Sequence, residues 1–246
     1  MAPTPYDTNN AELVKRDPFE GGMPRPDRLA DRFFLYGRRY GYVRAICNFI
    51  GRRWFSFWKL TGPLFAPAYI RRWLAKDIPH ILNLGGGGVI FDRWLTVDVD
   101  PRSDVYVDIT QRLPFPDASI DVVYAEEVIE HVPRETGLAM LREVTRVLKP
   151  GGWIRLTTPS LNYFANRALA DLEGSRAIND IFYRHEHRHI YSEADLQALL
   201  REAGFVEMMP SSYRDPNSRY GYFDTHPARF AFALAEWSQY WEAQRP

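Results

Sequence analysis

A single cysteine, Cys47, stands in 246 residues, so no internal disulfide is available and the fold must be held by burial and hydrogen bonding. A lone thiol fits a reducing compartment, and its plainest role is that of a small buried hydrophobe. Net charge is also missing: 31 basic residues offset 31 acidic ones, so no global field selects a nucleic acid or another polyanion as partner. No stretch approaches the roughly 18 uninterrupted apolar residues of a membrane span, and Met1 to Asp17 lack the apolar core of a signal peptide. The chain therefore reads as cytoplasmic and non-spanning. There is no internal repeat and no low-complexity tract. The length suits one α/β domain with an added subdomain rather than two large domains.

What is present is a series of short apolar runs that each deliver glycines or a carboxylate. Ile81-Leu82-Asn83-Leu84 leads into Gly85-Gly86-Gly87-Gly88, Leu95-Thr96-Val97 into Asp98-Val99-Asp100, and Tyr106-Val107 into Asp108. In a parallel sheet such strand ends line the crevice where a nucleoside sits, because glycine admits close backbone approach and a carboxylate accepts from a ribose diol. A dinucleotide fingerprint would need a third, spaced glycine opening a helix; Val89 and Ile90 follow the glycines instead.

Downstream stand Leu113-Pro114-Phe115-Pro116-Asp117, Asp121-Val122-Val123-Tyr124, Glu130-His131-Val132 and Glu143 through Leu148-Lys149-Pro150-Gly151-Gly152. In this order, over residues 80 to 209, they resemble the class I S-adenosylmethionine (SAM) dependent methyltransferases, in particular the broad type 11 group. The resemblance implies an α/β, Rossmann-like methyltransferase sheet with helices on both faces and SAM as cofactor. It implies cofactor contacts from Gly85, Gly86, Gly87, Asp98, Val99, Asp108, Ile109 and Glu126, with Asp98 on the ribose hydroxyls, Asp100 its close competitor, and Asp108 near the adenine.

Strands are expected near 80–84, 95–99, 104–107, 121–125, 153–158 and 205–209. A helix over 135–148 places Leu138, Leu141, Val144 and Leu148 on one face and ends at Pro150-Gly151. A second is capped by Ser192 and buries Leu196, Leu199, Leu200 and Ala203. Only six residues separate Gly88 from Leu95, too few for a crossover helix, so the first crossover is shortened and one face of the sheet and one rim of the cofactor pocket are left bare.

Three regions follow: an arm and helical cap (1–75), the SAM-binding domain (76–210) and a C-terminal extension packing on it (211–246). Prolines and a glycine pair mark residues 1–26 as an arm. Residues 27–75 interleave aromatics such as Trp54, Phe55, Phe57 and Trp58 with Arg52, Arg53, Lys59, Arg71 and Arg72. This cap is expected to fill the gap on that face and rim. Three readings stand side by side: a helix packed on the sheet with its arginines in water, a membrane-surface helix, or a platform for an anionic acceptor.

Glu127-Val128-Ile129-Glu130-His131 carries the acceptor chemistry. In a helical turn, positions 127, 130 and 131 project to one side. The E-x-x-E-H pattern resembles that of the ubiquinone-pathway O-methyltransferases and the small-RNA 2′-O-methyltransferases, whose corresponding residues hold a divalent metal. By that resemblance Glu127, Glu130, His131 and His187 are the metal ligands, with His185 and His189 as neighbours of His187 and Mn, Mg, Fe or Zn as the ion. A cation that binds a hydroxyl favours its alkoxide and fixes its line of attack. Without a metal, His131 or His187 is the general base, and Glu127 and Glu130 belong to the same catalytic set. The expected reaction is O-methylation of a sugar, glycan or other small-molecule hydroxyl. A membrane-associated phenol or quinol, an RNA 2′-hydroxyl and a non-catalytic scaffold are the alternatives.

Overall fold

The computed structural model describes residues 42–246 apart from Ile90, Asp171, Ala231 and Phe232. The expected arm over 1–26 and the opening of the cap lie outside the described residues. Seven strands form one sheet in the order β3-β2-β1-β4-β5-β7-β6. They are β1 Ile81–Leu84, β2 Leu95–Asp98, β3 Val105–Tyr106, β4 Ile120–Glu126, β5 Leu148–Pro159, β6 Val206–Ser211 and β7 Ser238–Gln244. The first five pair in parallel, whereas β7 runs antiparallel to both of its neighbours, β5 and β6. This is the expected Rossmann-like α/β sheet. The chain reverses its winding between β1 and β4, and in such sheets the ligand crevice opens outside the carboxyl ends of the strands at that point.

The six strands read from the sequence are present; the seventh was not anticipated. Ser238-Gln-Tyr-Trp-Glu-Ala-Gln puts Gln and Glu where a buried strand would carry apolar residues, so neither alternation nor an apolar run announces it. It is nonetheless buried, because Glu242, 1% exposed, accepts from Ser218 Oγ at 2.5 Å and from the N–H groups of Arg219 and Tyr220 at 3.1 and 2.6 Å. A polar strand is tolerated inside a sheet when each buried polar group finds a partner.

Strand alternation divides the core into two faces. Leu82, Leu84, Val123, Ala125, Ile154 and Leu156 face one side, where they form the main cluster with three helices. These are α1 (Tyr42–Leu74), α2 (Arg134–Val147) and α5 (Glu193–Glu202). Helix α1 contributes Ala66, Ile70 and Trp73, which recur at helical spacing. Its Gly62 meets Tyr106 closely enough that a Cβ there would stand 2.4 Å from the tyrosine Cβ. Helix α2 buries Leu138, Leu141 and Val144, and α5 buries Leu196, Leu199 and Leu200. The Ser192 side chain accepts from the Asp195 N–H at 3.1 Å, the cap read from the sequence.

The second face differs from expectation. Residues 58–74 of the cap do pack on the sheet, and Trp73 Nε1 donates to Arg93 O in the short crossover at 3.3 Å. The bare second face, however, is closed from elsewhere. Phe91 and Trp94 of the crossover pack with Ile81, Val122 and Tyr124, and Phe223 of the C-terminal segment completes the cluster. Trp94 and Phe223 meet with ring centroids 4.3 Å apart. Full burial of a side chain such as Phe223 contributes about 2–3 kcal/mol. Beside it Arg155, wholly buried on β5, holds Asp224 through Nε at 2.9 Å and Nη2 at 2.5 Å. The segment before β7 thus does the work expected of the aromatic cap.

Between β5 and α5 the chain inserts two further helices, α3 (Leu161–Ala170) and α4 (Leu172–His185). They share a separate small cluster of Phe164, Ile181 and Ile190, against which Trp237 packs. Helix α4 ends at His185, which delivers the histidine-rich turn to the crevice.

Candidate active site

At the end of β1 the chain turns with Gly85 at φ 71° and Gly87 at φ 54°, a region that favours glycine. A Cβ on Gly85 would meet Val128 at 2.5 Å, and one on Gly86 would meet the Asn83 side chain at 2.1 Å. These two glycines pack the turn against its own scaffold. At Gly87 nothing lies within 4 Å of where a Cβ would project, so this residue borders open space. The Asp98 carboxylate accepts the Gly87 N–H at 2.8 Å and the Asp100 N–H at 2.9 Å, one on each oxygen. Each oxygen keeps a second lone pair for a diol. Burial raises the Asp98 pKa against those two N–H groups, which lower it. Asp100 is instead paired with Arg102 at 2.7 Å. Asp108 accepts the Thr110 N–H and hydroxyl at 2.9 and 2.7 Å through Oδ1, and Val99, Asp108 and Ile109 are half-buried.

The expected helical turn after β4 is a 3₁₀ turn over Ile129–His131, preceded by Glu127 in the left-handed region at φ 55°. It brings Glu130 and His131 to His187 so that one ligand atom from each lies within 4.8 Å of the others. Glu130 Oε1 stands 4.0 Å from His131 Nε2 and 4.0 Å from His187 Nε2. The two rings meet edge to face with centroids 4.7 Å apart. The Glu130 backbone carbonyl accepts the N–H groups of Arg188 and His189 at 2.7 and 3.1 Å, which ties the histidine turn to the 3₁₀ turn.

Glu130 is completely buried; its Oε2 accepts the Thr158 hydroxyl at 3.0 Å, while Oε1 has no hydrogen-bond donor. His187 Nδ1 is likewise buried and unpartnered. Burial, reinforced by the Glu127 charge, pushes the Glu130 pKa well above the ordinary carboxylate range. Burial, followed by the His131 and His185 charges, pushes His187 down to about 3, so its imidazole is neutral near pH 7, the form a metal takes. A buried carboxylate with one orphaned oxygen beside two imidazoles fits a divalent cation, whose charge offsets the cost of burying the carboxylate. One carboxylate and two imidazoles suit Mn²⁺, Fe²⁺ or Zn²⁺ better than Mg²⁺.

The structure leaves other expected residues outside this cluster. Glu127 Oε1 accepts from Ser238 Oγ at 2.8 Å and Thr157 Oγ1 at 3.4 Å, tying the turn to β7 and β5. Glu126, expected as a cofactor contact, points to the second face, where its carboxylate binds Thr225, His226 and Arg229. His189 pairs with Asp195 at 3.0 Å and packs on Tyr191, supporting the start of α5. Sequence reasoning missed Thr158 and His226. The His226 ring has a buried, unpartnered Nδ1 and lies near enough to His187 for its charge to lower the His187 pKa. Only its being one of six histidines in the chain marked it.

The Asp98 charge at the end of β2 acts on His131, in the turn after β4. Comparisons with known proteins identify the family. The family model described as a methyltransferase domain matches residues 47–207. The chain is 35% identical over 124 residues to the 27-O-demethylrifamycin SV methyltransferase of Amycolatopsis mediterranei, covering 50% of this chain and 42% of that one. It is 28% identical over 110 residues to the ubiquinone biosynthesis O-methyltransferase of Chromobacterium violaceum, covering 44% of each. The chain thus spans less than half the length of these relatives. Among solved structures, an S-adenosylmethionine-dependent methyltransferase from Mesorhizobium loti is similar at TM-score 0.48 and 18% identity, over 72% of this chain and 96% of that one.

Proposed function

This chain belongs to the class I SAM-dependent methyltransferases, and from that premise we propose that it transfers a methyl group to a hydroxyl oxygen of a sugar, glycan or other small-molecule acceptor, with a divalent cation assisting. When bound, SAM supplies a sulfonium methyl open to displacement, and the cation supplies Lewis-acid polarisation of the hydroxyl. With SAM bound, the acceptor oxygen would displace S-adenosylhomocysteine from the methyl carbon, the electron pair of the broken carbon–sulfur bond going to sulfur. The hydroxyl proton must go to a base.

The chain's own residues divide this work. Gly87 and Asp98 line the cofactor crevice, and the Gly85 and Gly86 packing holds the turn in place. Glu130, His131 and His187 would hold the cation, with Thr158 orienting the carboxylate. His131, whose side chain is 46% exposed, is the member of the cluster open to an acceptor and to its proton. The single observation that carries the proposal is the orphaned Glu130 Oε1 facing two imidazoles. The O-methyltransferase names of two relatives support oxygen as the acceptor atom.

The test is calorimetric titration of Mn²⁺ into the protein saturated with S-adenosylhomocysteine, beside Glu130→Ala and His187→Ala. One site lost in both variants, together with Mn²⁺-dependent methylation in a panel of hydroxylated acceptors, supports the reading. No metal heat with the adenosyl ligand bound normally would remove the cation and leave His131 as general base, with nitrogen and carbon acceptors open again.

A further inference from the structure

Helix α1 has one face that the described fold leaves uncovered. Gly62, Ala66, Ile70 and Trp73 are buried against the sheet. Around the opposite side Leu60, Leu64, Phe65 and Tyr69 are 72%, 73%, 69% and 50% exposed. Four large apolar side chains within ten residues of one helix form a patch, not the scatter normal for a soluble surface. The charge of the helix is equally one-sided. Its 33 residues contain Arg44, Arg52, Arg53, Lys59, Arg71 and Arg72 and not one acidic residue, in a chain whose net charge is zero.

We infer that this face of α1 docks on an anionic lipid bilayer, lying in the interface with its apolar side chains at the headgroup boundary and Arg71 and Arg72 against the headgroups. A bilayer meets both features at once, since apolar burial and attraction to anionic headgroups add in such helices. A nucleic acid would answer the charge and leave the four apolar side chains in water. A second copy of the chain would set one acid-free basic helix against another. Spanning is a different matter: no described helix is long and apolar enough to cross a membrane.

The placement of α1 separates this role from acceptor binding. Trp58 lies against Tyr106, at the crevice end of β3, with ring centroids 6.3 Å apart. Trp73 lies against His80, just before β1 begins, at 4.8 Å. Arg71 and Arg72 therefore sit at the end of the sheet away from the crevice, beyond the reach of a substrate bound there. The inference is independent of the identity of the acceptor and of the metal.

The experiment is co-sedimentation of the full chain with phosphatidylcholine vesicles and with phosphatidylcholine–phosphatidylglycerol vesicles, at low and high salt. Wild type is compared with Leu64→Glu/Phe65→Glu and Arg71→Glu/Arg72→Glu. All four positions are exposed, and unchanged thermal unfolding identifies variants that keep the fold; Leu64→Ser/Phe65→Ser is the milder replacement if the first pair does not. The expected result is salt-sensitive binding to the anionic vesicles that falls at least about tenfold in each double variant. Absence of binding to anionic vesicles, or equal binding by wild type and variants, overturns the inference. So does a wild-type dimer in sedimentation equilibrium that the variants dissociate, since the face would then join two copies.

Discussion

Glu126 and Thr225, far apart in sequence, are joined by two hydrogen bonds to one buried carboxylate. Glu126 accepts the Thr225 N–H at 2.7 Å and its hydroxyl at 2.6 Å, and the neighbouring His226 N–H adds a third bond at 2.7 Å. Arg229 closes the group at 2.6 Å. Through this clamp the end of β4 fixes the C-terminal segment that covers the second face and carries His226 toward the crevice.

Replacing Glu126 by Ala should destabilise the protein by about 3 kcal/mol, because three donors and a guanidinium lose their buried acceptor. Burial alone would raise the Glu126 pKa, but Arg229, His226 and Thr225 outweigh it and hold the carboxyl below its ordinary value. A depressed carboxyl stabilises the fold above its unfolded pKa and loses that contribution as pH falls through the folded one. Urea unfolding of wild type and variant should therefore differ most near neutral pH and converge in acid. A gap that widens on acidification would contradict the clamp.

Phe223→Ala should cost about 3–4 kcal/mol, the range for truncating a large buried aromatic. The loss should appear in urea unfolding, and hydrogen exchange should rise in the crossover around Phe91 and Trp94, which Phe223 covers. Exchange unchanged there would mean that the second face is closed by something other than the C-terminal segment.

The two acidic residues of the turn after β4 should separate in their response to metal. Glu127→Gln keeps the Ser238 and Thr157 contacts within reach of an amide and should leave Mn²⁺ affinity within about threefold of wild type, whereas Glu130→Gln removes a charged ligand and should abolish binding. Equal loss in both would return Glu127 to the ligand set expected from the sequence.

Gly85→Ala and Gly87→Ala both place a side chain in the left-handed region at a backbone cost of about 1 kcal/mol. They should nonetheless diverge. The Gly85 Cβ collides with Val128, so overpacking adds a further loss of about 1–3 kcal/mol in unfolding experiments. The Gly87 Cβ enters open space, so this variant should keep most of its stability while S-adenosylhomocysteine affinity in calorimetry falls at least about tenfold. Unchanged affinity would place the cofactor elsewhere.

Much of the sheet was legible because its strands are apolar runs punctuated by glycine, proline and acids, and α5 because Ser192 caps a periodic run. The cluster of Glu130, His131 and His187 was legible in part. Glu130 and His131 are neighbours in a turn, and His187 stands in an unusual run of histidines. Glu127 stands outside that cluster because its positive φ turns the chain and sends the side chain to Ser238, whereas an ideal helical turn would align it with Glu130.

The sequence by itself determined the parallel α/β sheet, the glycine turn with Asp98 beyond it, and the Glu130-His131 pair, because each depends on residues within a few positions of one another. Only the tertiary structure decided which carboxylate meets His187, that Glu126 serves the fold, and that Ser238–Gln244 enters the sheet as a seventh strand. Those outcomes rest on contacts between distant segments: a buried carboxylate on β4 or β7 is tolerable only where a remote loop brings donors to it, and no local pattern records which loop that will be.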